Sequence, residues 1–316
     1  MALIKTVAEF KEYVRIAGTI SLETLMASIP DAQEKYIRPI LGDDLLDALD
    51  EYYNDDDATD DEAFEALIPC VQRPLARFTL LIASPEIDVT VTDSGIAVIM
   101  NQNLAPASSD RVKKYDHSNE KRAWDNIETL IRFLEANESD YDTWVDSSAY
   151  TLAKRNLVNS ALEFDAILNI DKSSLYFSRI RSLLDDADLL FIKPSISAEL
   201  FATILEEVQA GDISAEIEAI LPYLQRAEVF YAAGEGIDSS KYENAGLSQI
   251  FLERDMAMYS RKAEQYLGEA RKIIDLNPDD YPDYRDSDVY VGLNDDSETD
   301  YTVFDNTDED NHIFVM

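Results

Sequence analysis

Catalysis needs a nucleophile with its base, a metal cluster, a phosphate cradle or a tuned pair of acids, and these residue types can be sought directly in the sequence. Only two histidines are present, His117 and His312, and neither belongs to a nucleophile elbow or a zinc-protease helix. Cys70 is the single cysteine, so an internal disulfide and a cysteine-rich metal site are both excluded; the expectation for it is a small buried apolar group. Nine glycines in the whole chain leave no glycine-rich loop to bring backbone amides onto a phosphate. Asp55, Asp57 and Asp60 form a ligand-rich loop, but it lacks the sharp-turn glycine and the closing glutamate of a calcium loop, and the segment 294–300 fails in the same way. Carboxylates can act as general acid and base, yet with 64 Asp and Glu any pair is expected from composition and none stands out. The reading is therefore no catalytic residue, no metal and no cofactor.

The 64 acidic residues face 27 basic ones, a formal net charge of −37. Such a surface repels nucleic-acid phosphates and anionic lipid, which disfavours a groove-reading DNA binder and a polybasic membrane anchor. A hydrophobic fraction of 46% with 10% aromatics is ample for packed cores. The start, Met1-Ala2-Leu3-Ile4-Lys5, lacks a secretory signal, and no stretch is expected to span a membrane.

The elements that would position any site are mostly helical. Thr6 and Glu9 form a capping-box pattern ahead of Phe10, Tyr13 and Val14. From Ser21, the residues Leu22, Leu25, Met26, Ile29, Ala32 and Tyr36 recur at three and four, with Pro30 placed to kink or divide the helix. Asp43 or Asp44 is expected to cap a helix that buries Leu45, Leu46 and Leu49. A long apolar helix over 63–82 should break at Pro69 and Pro74. Alternation around Val89 and Val91, the turn Asp93-Ser94-Gly95 and renewed alternation from Ile96 predict a β-hairpin near 87–100.

The chain also echoes itself. Phe10, Tyr13 and Ile16 followed by Tyr36-Ile37-Arg38-Pro39 return as Phe164, Ile167 and Ile170 followed by Phe191-Ile192-Lys193-Pro194. Leu67 to Arg73 returns as Ile220 to Arg226, and Asn137, Asp140 and Tyr141 return as Asn277, Asp280 and Tyr281. Three echoes in one order imply a tandem duplication, with repeats at roughly 6–145 and 158–285. The fold expected is mainly α: duplicated helical-bundle domains over 1–150 and 151–285, a small β-hairpin in the first, and an extended, partly β tail over 286–316. In each Tyr/Phe-Ile-Arg/Lys-Pro motif the aromatic and isoleucine should pack inward, the proline start a helix and the cation snorkel. Arg73 and Arg226 are placed to neutralise nearby carboxylates.

The hairpin has no counterpart in the second repeat, and the acidic tail carries β-prone apolar islands. Both are candidate partner contacts: Asp93, Ser94 and Gly95 in the turn, and Val289, Tyr290, Val291, Tyr301, Val303, Phe304, Ile313 and Phe314 in the tail.

The opening Ile4-Lys5-Thr6, the stretch Phe10 to Ile16, Tyr36-Ile37-Arg38-Pro39-Ile40-Leu41-Gly42, Leu67 to Arg73 and Ser94-Gly95-Ile96 resemble a family of uncharacterised, duplicated helical proteins of Bacteroidetes phages and prophages. The resemblance covers most of 1–285, through packing motifs. It implies a non-enzymatic virion protein, a head-tail connector or adaptor assembled in the host cytoplasm. Its partners would be copies of itself in a ring of about twelve, as on a portal, together with portal and tail or neck proteins, with DNA passing unbound and no membrane involved. Two other readings stay open: an acidic DNA mimic that occupies a basic cleft, and a carboxylate hydrolase, which requires a pocket holding one abnormally protonated acid. A glycan-binding lipoprotein would need a cysteine near the start, and Cys70 lies too late. From sequence alone, deletion of 286–316 should leave the helical fold intact and weaken incorporation into particles, which quantification of the protein in purified particles checks.

Overall fold

Two glutamines, one on each of two long helices, organise the chain. In the computed structural model, which describes residues 2–16, 23–55, 57–87, 89–92, 95–98, 108–236 and 249–290, Gln72 Nε2 donates to the Leu3 carbonyl at 2.8 Å, and Gln225 Nε2 donates to the Leu157 carbonyl at 3.1 Å. Each glutamine thus holds the extended segment that opens its half. A capping box follows at once in both. Thr6 and Ser160 accept from the amides of Glu9 and Glu163, whose carboxylates accept in return from the cap amides. These boxes start α1 (Val7–Tyr13) and its counterpart Ala161–Ile167.

After α1 come α2 (Glu23–Met26), α3 (Ser28–Ala32), a π-helical stretch Gln33–Ile37, α4 (Arg38–Leu41), α5 (Asp43–Asn54) and α6 (Glu62–Ile87). Two short strands, β1 (Val89–Thr92) and β2 (Gly95–Val98), pair antiparallel with Val89 opposite Val98. Next are α7 (Ser109–Ala136), a 3₁₀ turn Glu138–Asp140, α8 (Asp142–Val145) and α9 (Ser148–Ala153). The second half runs through α10 (Ala161–Ile167), α11 (Ser174–Asp186), a π-helical stretch Ala187–Ile192, α12 (Lys193–Ile196), α13 (Ala198–Ala210), α14 (Ala215–Glu235) and α15 (Gln249–Leu276). A 3₁₀ turn Pro278–Asp280 and α16 (Pro282–Arg285) complete it. The protein is mostly helical.

The succession of elements recurs, and so do single hydrogen bonds. Tyr141 and Tyr281 donate their hydroxyls to the Ala63 and Glu216 carbonyls, both at 2.7 Å. Asn137 and Asn277 cap the ends of α7 and α15 by donating to the Phe133 and Ile273 carbonyls. Trp144 and Tyr284 are both fully buried, and Ser147 and Ser287 donate back to their carbonyls. The paired long helices, α6 with α7 and α14 with α15, form the two most extensive helix–helix contacts, and α7 also packs on α11 to join the halves.

Several local expectations change. The prolines do not break α6: Pro69, Pro74 and Pro85 all lie inside one continuous helix. A helix-interior proline costs about 3 kcal/mol. Burial of Leu67, Val71, Leu75, Phe78 and Leu80 returns roughly 1.5–3 kcal/mol each, which outweighs it. By length and composition α6 also reaches membrane-span size, contrary to the sequence reading, but 56% of that window is packed inside the protein. Neither Asp43 nor Asp44 caps α5. Its cap is Gly42, at φ +78, because Asp43 is drawn away by the Arg38 guanidinium at 2.9 Å. Arg38 does not snorkel but binds Glu34, Asp43 and Asp47 on the surface, whereas Lys193 does lie along an apolar face, over the Phe201 ring. Arg226 donates to the Pro222 carbonyl and covers the Tyr266 ring instead of pairing with a carboxylate. Cys70 is half-buried, its thiol directed to the Ala66 carbonyl.

The segment 286–290 is not an extended tail. It turns back through bonds from the Asp286, Ser287 and Tyr290 amides to the Pro282, Tyr284 and Ser287 carbonyls, which sets Tyr290 edge-on against Tyr284. Residues 291–316 lie outside the described ones. Truncation before Asp286 therefore strips packing from the second core.

Ser197 repeats the Gly42 geometry at φ +78, held by bonds from the Leu200 amide to its hydroxyl and from that hydroxyl to the Asp283 carbonyl. At Gly42 a Cβ would also stand 3.1 Å from Ser147 Cβ. Gly42→Ala is expected to destabilise the protein by about 1–2 kcal/mol, read from urea unfolding midpoints.

Candidate functional site

A chain of polar side chains runs from the seam between the halves into the second core. Arg155 and Asn156 lie on the connection after α9, Asp185 near the end of α11, Asp188 in the following π-helical stretch and Glu228 on α14. The Arg155 guanidinium pairs with Asp185. Asn156, 1% exposed, donates through one Nδ2 to both Asp185 Oδ1 at 3.0 Å and Asp188 Oδ2 at 2.9 Å. Beyond Asp188 stands Glu228, fully buried.

Burial raises both acids. Asp188 is pushed up to about 7 by loss of solvent, against the pull of the Asn156 hydrogen bond and of Lys193. Glu228 is pushed well above the usual carboxylate range by burial first and by Asp188 second, with the Leu157 and Val158 amides opposing. Asp188 Oδ1 and both Glu228 oxygens are sealed from solvent without a partner meeting hydrogen-bond geometry. Protonation of an acid supplies a donor of the kind such oxygens lack, and burial favours it.

Acids of this kind can serve as proton donors, but access decides the chemistry. The cleft between the halves, about 280 Å³, is walled by Trp124, Ile131 and Phe177 and reaches Arg155 and Arg181, yet neither acid lines it. At 3% and 0% exposure Asp188 and Glu228 cannot touch a substrate in this conformation. What they do instead is divide the core. Among the described residues the buried apolar side chains form one cluster in the first half and two in the second, and Glu228 stands between Ala227 of one of these two and Val229 of the other.

The internal echo marks both acids as departures from the first half, though not their meeting. Aligned on Ile37 and Ile192, Asp188 corresponds to Gln33, and aligned on Gln72 and Gln225, Glu228 corresponds to Leu75. In the first half the Leu3 amide donates to Gln33 Oε1 at 3.2 Å, a neutral solution at the same place. An acid where the sibling position is glutamine or leucine is a signal that counting carboxylates does not register.

The expected contact residues do not converge on this site. Asp93 and Ser94 lie outside the described residues, and Gly95 opens β2 opposite Thr92. Val289 and Tyr290 are half-buried against the second core. Val291, Tyr301, Val303, Phe304, Ile313 and Phe314 lie outside the described residues. His117 is exposed on α7, and among the described residues no group of His, Cys, Asp and Glu has metal-binding geometry.

Comparison with known families finds one model, that of a family of unknown function (DUF6712), which matches residues 37–153 and 244–292, more than half of the chain. The matched stretches omit Asp185, Asp188 and Glu228. No curated protein and no solved structure matches the chain.

The buried pair makes stability depend on pH with a definite sign. The folded state holds protons that the unfolded chain releases near the ordinary carboxylate range, so stability is fullest below about pH 4 on this account and falls as pH rises through about 7. Copying the first half with Asp188→Gln and Glu228→Leu is expected to add roughly 2 kcal/mol at about pH 8 and to flatten this part of the dependence. Thermal melting of both proteins across pH measures it. Equal slopes would remove the pair as the cause.

Proposed function

The chain belongs to the DUF6712 family, whose function is unknown, and we propose that it is a non-enzymatic structural protein of a tailed phage particle, a head-tail connector or adaptor that works as a ring of copies between portal and tail. The observation that carries this reading is a contrast between the two halves on the π-helical stretches. Leu189 and Leu190 stand 60% and 62% exposed in the second half, where the first half places Glu34 and Lys35. An apolar pair displayed beside a charged surface is suited to a contact between subunits, and its charged sibling shows that the local fold has no need of leucine there.

Other features support the same reading. The polar groups that resemble catalytic acids are sealed in packing, and the net charge of −37 lets DNA pass without adhering. The two halves are joined through α7 and α11 in one subunit, so a single chain can meet neighbours with surfaces from both. The phage context itself comes from the sequence resemblance.

The test copies the first half onto the second. Leu189→Glu with Leu190→Lys is expected to leave the far-ultraviolet circular dichroism and melting temperature unchanged and to reduce incorporation into purified particles by about tenfold, measured by mass spectrometry of the particle proteins. Normal incorporation of this variant, or absence of the wild-type chain from particles, would sink the proposal. Particle incorporation is the proper readout because a subunit that assembles on docking stays monomeric in solution.

A further inference from the structure

In a chain with more than twice as many acids as bases, every cation has carboxylates available, so a cluster of unneutralised cations requires an explanation. One exists in the first half. The end of α1, the middle of α6 and the first half of α7 border an open cleft of about 500 Å³ lined by Lys11, Arg15, Arg77 and Arg122, with Glu12 the only acidic side chain among the described residues lining it. None of the four cations forms an ion pair among the described residues; the nearest strong charge to Arg77 is another cation, Arg122. Burial and that repulsion together push the Arg77 guanidinium below its ordinary value.

The floor of the cleft is polar in one sense only. Arg77 Nη1 donates to Asn119 Oδ1 at 3.1 Å, which orients the amide so that its Nδ2 donor is left over. Asn119 is 6% exposed, and its Nδ2 and the Arg77 Nε are both sealed donors with no acceptor. Each orphaned donor costs about 1–3 kcal/mol, and four like charges add repulsion. A ligand carrying more than one negative charge removes that repulsion.

We propose that this cleft binds the phosphate group of a small phosphorylated ligand. A carboxylate is neutralised by one arginine, whereas a phosphate dianion offers three oxygens that Arg77, Arg122 and the flexible Lys11 and Arg15 can share. The volume lies in the range of small-molecule sites, and Tyr115, 48% exposed at its rim, provides an aromatic face for the rest of the ligand. A long polyanion is disfavoured because it would lie across the strongly negative remainder of the surface. The assignment is independent of any place in a particle.

The experiment titrates the full chain with inorganic phosphate, pyrophosphate and a short DNA duplex at matched ionic strength, with chloride as the control, by calorimetry and thermal melting. Phosphate and pyrophosphate are expected to bind saturably and raise Tm beyond the chloride control. Arg122→Gln, on an exposed side chain, should weaken binding about tenfold, and Arg77→Gln more. If Arg77→Gln fails to fold, Arg122→Gln decides alone. A response equal to that of chloride, or unchanged affinity in Arg122→Gln, overturns the site. Binding of the duplex more tightly than pyrophosphate overturns the small-ligand assignment.

Discussion

The structure depends on one requirement: an extended segment that enters a helical core must have its backbone groups bonded, because an unpaired buried amide or carbonyl is costly. Leu3 and Leu157 open their halves in this situation, buried to 1% exposure each. The glutamines on α6 and α14 meet the carbonyls, and their reach sets how close the opening segment lies to the long helix. Once it is fixed, the capping boxes at Thr6 and Ser160 start the first helix of each half in the same direction. The tyrosines that tie the far ends, Tyr141 and Tyr281, then close each unit over its long helix pair.

The amide of that opening segment is where the halves part. The first uses the neutral oxygen of Gln33; the second sets Glu228 beside the corresponding backbone with Asp188 behind it. The difference spreads outward. Glu228 interrupts the apolar contact between neighbouring turns of α14, and Asp188 draws Asn156, Asp185 and Arg155 into a polar chain that reaches the seam with α7 and α9. A buried acid held neutral contributes little net stability compared with an apolar side chain of similar size, so its presence marks a constraint that is not simply packing.

Charge is distributed unevenly over an otherwise anionic molecule. Arg38 gathers three carboxylates on the surface of the first half, and Arg285 two near the end of the second. These exposed pairs are screened by solvent and act mainly to relieve repulsion. Against that background the group of cations around Arg77 is an exception, set by three helices that converge there and not by any run of basic residues along the chain.

Helical class, the capping box at Thr6 and the paired motifs were legible in the sequence because they rest on short-range spacing: Thr6 to Glu9, the inward leucines of α5, and short motifs that return in the same order. Those patterns depend only on the geometry of one helix or turn. The continuity of α6 through its prolines, the capture of Asp43 by Arg38, the turning of 286–290 onto Tyr284, and the meeting of Asp188 with Glu228 and of Arg77 with Arg122 were decided by tertiary structure. Each of these depends on what lies across the core, on burial energy that overrides a local preference, or on the loss of solvent around a charge. None of those quantities is a property of neighbouring residues, so sequence spacing could not register them.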